Sequence, residues 1–355
     1  MKVAADPSAR SCRALYLACF VAVGSAACGQ SPGEASLAEN GPPAKAHAVV
    51  AHNGAALDRD FPDPAILRLS DGTYYAYATQ TTSGSRTVNI QVARSTDLKS
   101  WAYLGDALPS KPSWARTTQS FWAPDVIERG STFLLYYSAV PDDSTGDENC
   151  LGLATSTSPQ GPFQDVGKAL LCGYEIDPAI FHDPASGHWF MYWGSAGDIA
   201  VQQMSDDLLH LEGASQGTAL QGWSSPARRP YEHGIEGPFV IYRDGWYYLF
   251  YSGDKCCELP PHYAVMVARS RDPRGPFQRF GSAMNKPSSV IVSDHGSWLG
   301  PGHCSVVQDR HGKTWIAFHA IDKRDPTLPT GDVRRVMLLE RLRFKNGWPV
   351  VHEDQ

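Results

Sequence analysis

The chain has 355 residues, of which 42% are hydrophobic and 19% charged, so it can bury a large core as one big domain or two ordinary ones. A formal net charge of −6, with no run rich in Lys and Arg, argues against nucleic-acid binding by phosphate neutralisation. The 15 Tyr, 13 Phe and 10 Trp stand beside 32 Gly and 26 Pro, a composition of aromatic strands broken by many turns.

At the amino terminus, Lys2, Arg10 and Arg13 precede an apolar run, Ala14 to Val23, and then Ser25-Ala26-Ala27-Cys28. A basic start, a short apolar core and small residues before the break predict a secretory signal over residues 1–28, too short to span a membrane. Ser25-Ala26-Ala27-Cys28 also resembles a bacterial lipobox, in which the cysteine becomes the lipidated first residue, with Ser25 where Leu is usual. The expected location is therefore outside the cytoplasm: a cell-envelope lipoprotein anchored through Cys28, or a secreted or periplasmic product of simple cleavage. Residues 29–55, rich in Ser, Gly, Pro and Ala, predict a flexible linker, and residues 56–355 the folded domain. Five cysteines follow: Cys150, Cys172, Cys256, Cys257 and Cys304. Export favours a bridge such as Cys150–Cys172, but sequence does not fix the pairing. Cys256-Cys257 reads either as two partly buried thiols or as an outer-loop bridge.

From Asp58 onward there is no long stretch of helical periodicity. One segment returns instead, a polar turn followed by a short aromatic and aliphatic strand. It begins at Asp71-Gly72, Gly130-Ser131, Ser186-Gly187, Asp244-Gly245 and His311-Gly312. Asp-Gly between apolar runs is a strong hairpin signal, because a type I′ turn needs two residues that tolerate positive φ. A second apolar strand follows most copies, as in Ile90 to Ser95, Leu151 to Ser156 and Val265 to Ser270. The copies recur at roughly 55 to 70 residues, the signature of a radially stacked repeat. The predicted fold is all-β, a five-bladed β-propeller with a narrow central channel.

Just upstream of each hairpin lies a candidate functional motif: Phe61-Pro62-Asp63-Pro64, Phe121-Trp122-Ala123-Pro124-Asp125, Glu175-Ile176-Asp177-Pro178, Ile235-Glu236-Gly237-Pro238 and Gly300-Pro301-Gly302-His303-Cys304. Four carry an acid near a proline and the fifth a histidine. An isolated Asp-Pro is a turn starter. Four acids converging by repetition on one axis repel each other too strongly to be a structural accident.

Asp63, Asp177 and Glu236, each in its motif, resemble the three acids of glycoside hydrolase family 43, five-bladed propeller enzymes acting on arabinan and xylan. The resemblance runs from about Asp58 to Val351 and includes Trp122-Ala123-Pro124-Asp125, Gly300-Pro301-Gly302-His303, Arg334-Arg335 and Gly347-Trp348-Pro349. It implies Asp63 as general base, Glu236 as general acid, and Asp177 as the group that raises the acid's pKa and holds it in place. An inverting glycosidase needs this division of labour, with about 6.5–9.5 Å between acid and base to admit a water. Sugar faces stack on aromatic rings, so Trp122, Phe121 and Trp193 are candidate subsite walls, with Trp122 favoured because its motif places it at the channel; Asp125 and Arg335 are further candidate substrate contacts, with Arg334 as the alternative to Arg335. The resemblance places His303 in the central channel, beside a calcium ion held through water. Cys304 departs from the family's usual Asn after that histidine.

The expected activity is that of an exported, inverting hydrolase of α-L-arabinofuranosyl linkages in arabinan or arabinoxylan. A β-xylosidase of the same family and a non-catalytic carbohydrate-binding propeller are the alternatives. The insertions 110–119, 142–149 and 222–233 are candidate walls that would decide exo against endo action.

Overall fold

The computed structural model describes residues 47–49, 54–83, 86–213, 218–227 and 229–351. The expected signal, Cys28 and most of the linker lie outside these residues. Among them, no helix is long and apolar enough to cross a membrane. One helix is present in this set, a single turn and a half at Phe280–Met284.

The hairpins expected from sequence form one edge of each of five antiparallel sheets. The inner strands of blades 2 to 5 are Phe121–Arg129, Glu175–His182, Ile235–Arg243 and Trp298–Gln308, and Ala65–Arg68 opens blade 1. Each pairs with an aromatic second strand: Tyr74–Ala78, Thr132–Ala139, Trp189–Ser195, Trp246–Lys255 or Thr314–Asp322. The Asp244-Gly245 turn has φ of 51° and 75°, as a type I′ hairpin requires.

The second strands are apolar on both faces because each is sandwiched between two neighbouring blades. In blade 1, Tyr75 and Tyr77 pack towards blade 2 against Phe121 and Tyr137, while Tyr74 and Ala76 pack towards blade 5 against Val307 and Met337. Five such clusters fill the five seams. The amino-terminal side of the domain closes the ring. Ala56 and Leu57 donate their N–H groups to the Met337 carbonyl, and Phe61 donates to the Arg335 carbonyl.

His47–Val49 pairs with Trp101–Tyr103 as an extra strand of blade 1, and Ala55 is buried, so ordered structure begins inside the expected linker. Cys150 and Cys172 face each other across neighbouring strands and are bridged; Cys256 and Cys257 are bridged to each other.

Candidate active site

Each inner strand enters the channel through one residue in the left-handed region: Asp63 (φ 56°), Ala123 (47°), Asp177 (60°), Gly237 (59°) and His303 (48°). The strand pairing is interrupted there in blades 2 to 5, the mark of a bulge that re-aims side chains at a site. These five positions are equivalent around the ring. Glu236 stands one residue before its blade's position and Asp125 two residues after, so the acids occupy different depths.

Asp63 is buried and fully engaged. Thr79 Oγ1 donates to its Oδ2 at 2.5 Å, and Arg335 Nη1 to its Oδ1 at 3.1 Å. Nδ1 of His319 is 3.0 Å and Nδ1 of His303 3.4 Å from the same Oδ1. Burial alone would push the carboxyl up, but Arg335, His303 and His319 outweigh it and hold Asp63 well below the usual range. Asp177 Oδ2 accepts the Gly237 N–H at 2.9 Å; burial, then repulsion by Glu236 and Asp63, pushes this carboxyl well up. Glu236 Oε1 accepts from the Tyr263 hydroxyl at 2.7 Å, and burial, aided by Asp63, raises it too. Asp177 and Glu236 cannot both ionise cheaply, so the pair keeps a proton above the ordinary carboxylate range. Burial lowers His303 and takes His319 down to about 4.

The other sequence candidates separate. Trp122 is half-buried at the position equivalent to Glu236, opposite Ser138 as Glu236 is opposite Ser252. Phe121 is corrected: its ring is wholly buried against Tyr137 at the blade 1–2 seam and has no face open to a ligand. Asp125 lines the channel below the acids, where its Oδ2 accepts the Ile180 N–H at 2.7 Å and burial pushes it up to about 6. Of the two arginines, Arg335 faces the site, whereas Arg334 turns to Asp58 at 2.6 Å and Asp325 at 3.2 Å.

His303 does lie in the channel, 3.9 Å from Asp177 as well as beside Asp63. Calcium takes six to eight oxygen ligands. Here the ring nitrogen is turned towards the acids, and among the described residues no group of three or more His, Cys, Asp or Glu converges as a metal site. The described side chains do not by themselves fit a calcium ion.

Three residues bearing on the acids were not visible in the sequence. Tyr263 donates to Glu236, His319 touches Asp63, and the two rings stack 5.6 Å apart at an interplanar angle of 2°. Thr79 is the third. Only the alternation of a buried strand, which reads as core, marks them in sequence. At the mouth, the insertions 110–119 and 142–149 are tied together by the Asp142 N–H to the Trp114 carbonyl and by Thr117 to Asp142. The third insertion presents Trp223, which is 63% exposed.

Three carboxyls of split ionisation on the axis of a propeller define a glycosidase-type site. Residues 56–349 match the model of glycosyl hydrolases family 43, and the chain belongs to that family. It is similar to the extracellular exo-α-(1→5)-L-arabinofuranosidase ArbA of Cellvibrio japonicus, at 27% identity over 83% of this chain and 87% of that one. It is also similar to the extracellular endo-α-(1→5)-L-arabinanase 1 of Bacillus subtilis, at 27% identity over 81% and 86%. Among solved structures, a thermostable family-43 glycoside hydrolase superposes with a TM-score of 0.69, at 28% identity over 84% of this chain and 95% of that one.

Proposed function

We propose that this glycoside hydrolase is an exported, inverting enzyme that cleaves α-L-arabinofuranosyl linkages in arabinan or arabinoxylan. What carries the reading is the contrast in surroundings: Arg335, His303 and His319 lie against Asp63 and hold it low, while burial and like charge push Asp177 and Glu236 up. Both extracellular relatives named above act on α-(1→5)-linked arabinose, which supports that sugar as substrate.

In this mechanism Asp63 takes a proton from water as the water attacks the anomeric carbon. Glu236 gives its proton to the departing glycosidic oxygen. Because Tyr263 donates to Oε1, the acid proton sits on the other oxygen, Oε2. Asp177, held beside Glu236 by the Gly237 N–H, disfavours early loss of that proton. Arg335 fixes the base, and Trp122 offers a ring face to a sugar.

The test is hydrolysis of aryl α-L-arabinofuranoside, aryl β-D-xyloside, linear arabinan and arabinoxylan, with Glu236→Gln alongside. Arabinose released by the wild type and not by the variant supports the reading, and product sizes separate exo from endo action. Xylose alone would transfer the mechanism to a β-xylosidase. Binding without cleavage of any substrate would leave a carbohydrate-binding propeller. Proton NMR of the first-formed product tests stereochemistry, and inversion requires the β-anomer to appear first. Lipid anchoring predicts that Cys28→Ala moves the protein from membrane pellet to soluble fraction.

A further inference from the structure

Four second strands, and in blade 1 the residue just after its second strand, place one residue each at the channel end that faces the next blade: Thr79, Ser138, Gly194, Ser252 and His319. Strand pairing makes them equivalent. Ser138, Gly194, Ser252 and His319 lie opposite Trp122, Ile176, Glu236 and Gly302, and Thr79 donates its N–H to the Pro62 carbonyl. At four seams the side chain meets the left-handed N–H of the following blade. Thr79 Oγ1 accepts from Ala123 at 2.8 Å, Ser138 Oγ from Asp177 at 2.8 Å and Ser252 Oγ from His303 at 2.9 Å. His319 Nδ1 stands 3.2 Å from the Asp63 nitrogen.

Gly194 breaks the pattern. With no side chain there, the Gly237 N–H goes to the carboxylate of Asp177 instead. Blade 1 shows what the missing group would do. There the Thr79 hydroxyl stands between a carboxylate and a backbone N–H, donating to Asp63 Oδ2 while accepting from Ala123. In blade 3 the hydroxyl is left out and the carboxylate reaches the N–H directly.

We propose that Gly194 is a positioning residue, whose empty seam position draws Asp177 onto the Gly237 N–H and so holds it against Glu236. A hydroxyl at position 194 would capture that N–H, as at the other seams, and set Asp177 back by its own width. The mutual repulsion of the two carboxyls would weaken. The inference rests on the catalytic reading above for its kinetic consequence but not for its geometry.

The test compares Gly194→Ser with Gly194→Ala. A Cβ at 194 lies 3.0 Å from Ile176 Cγ1, 3.6 Å from its Cδ1 and 3.6 Å from its carbonyl oxygen, so Ile176 must give by a few tenths of an ångström in both variants alike; thermal unfolding checks that both fold. Under the proposal, Ser moves the basic limb of the kcat/KM–pH profile down by roughly one unit, the scale of a weakened like-charge contact, and lowers kcat more than it changes KM. Ala has no acceptor for the N–H and leaves the limb in place. Equal effects of Ser and Ala, or no shift with Ser, would overturn it. A second measurement needs no seam variant. In protein labelled with 15N-glycine, the Gly237 amide proton should titrate with pH in the wild type and cease to do so in Asp177→Asn. A Gly237 amide indifferent to pH sinks the proposal whether or not Gly194→Ser folds. If that amide titrates but no glycoside is cleaved, the seam inference stands and the catalytic reading falls.

Discussion

Two neighbours of Glu236 act on its proton in opposite senses, and this separates their roles. The Tyr263 hydroxyl stabilises the ionised carboxylate, so its loss in Tyr263→Phe raises the pKa of Glu236. The basic limb of kcat/KM should then move to higher pH, while kcat falls about 10-fold or more with the lost orientation. Asp177 and Glu236 repel each other when both ionise, so Asp177→Asn, which removes one of the two charges, should move the same limb to lower pH. Shifts in the same direction from the two variants would refute this assignment. Asp125 gives a residue-scale prediction about stability rather than rate. Its folded pKa is raised to about 6 by burial, so the protonated form is favoured in the fold. The sign follows from linkage: stability tied to this group is fully present below the unfolded value near 4 and is lost as pH rises through 6. Asp125→Asn, which can still accept the Ile180 N–H, should stabilise the protein on the order of 2 kcal/mol at pH 8 and negligibly at pH 4. Urea unfolding at the two pH values measures the difference.

At the scale of elements, the close approach of strands explains what was legible in sequence and what was not. The hairpins were readable because their turns are local: Asp-Gly and Ser-Gly pairs between aromatic runs announce themselves within a few residues. The place of Asp63, Asp177 and Glu236 in the channel was readable because each stands next to a proline, or one residue from it, in a motif repeated at blade spacing. Tyr263, Thr79 and Gly194 were not, because a buried strand position reads as packing until the neighbouring blade is placed against it. The same limit misassigned Phe121, whose neighbours in sequence face the channel while its own ring faces the seam. Gly302 shows how tightly these elements meet. A Cβ there would fall 2.0 Å from Tyr263 Cε1, and that ring also stacks on His319. Gly302→Ala must displace the ring, so it should cost about 1–3 kcal/mol of stability or more. It should also reproduce the upward pH shift of Tyr263→Phe, because the hydroxyl leaves Glu236. A destabilised Gly302→Ala enzyme with an unshifted profile would show that the ring relaxes without breaking that bond.

For the whole molecule, ring closure and catalysis share one seam. The number of blades could be read from the count of hairpins, but how the ring closes could not, because the closing bonds join residues at opposite ends of the domain. Ala56 and Leu57 bond to Met337, and the same blade 5–blade 1 seam supplies Asp63, Arg335 and His319. A seam held by terminal segments is where a closed ring opens first, since opening there breaks no chain connection. Loosening it should therefore silence the enzyme before the remaining blades melt. Leu57→Ala removes a fully buried side chain from the closing seam, and Leu153→Ala does the same at the blade 2–3 seam. Each should cost about 2–4 kcal/mol by cavity formation. In Leu57→Ala, activity should fall several degrees below the midpoint of far-UV circular dichroism, whereas in Leu153→Ala the two losses should coincide. Coincident losses in both variants would mean that the five seams melt as one unit and that closure gives the site no separate fragility.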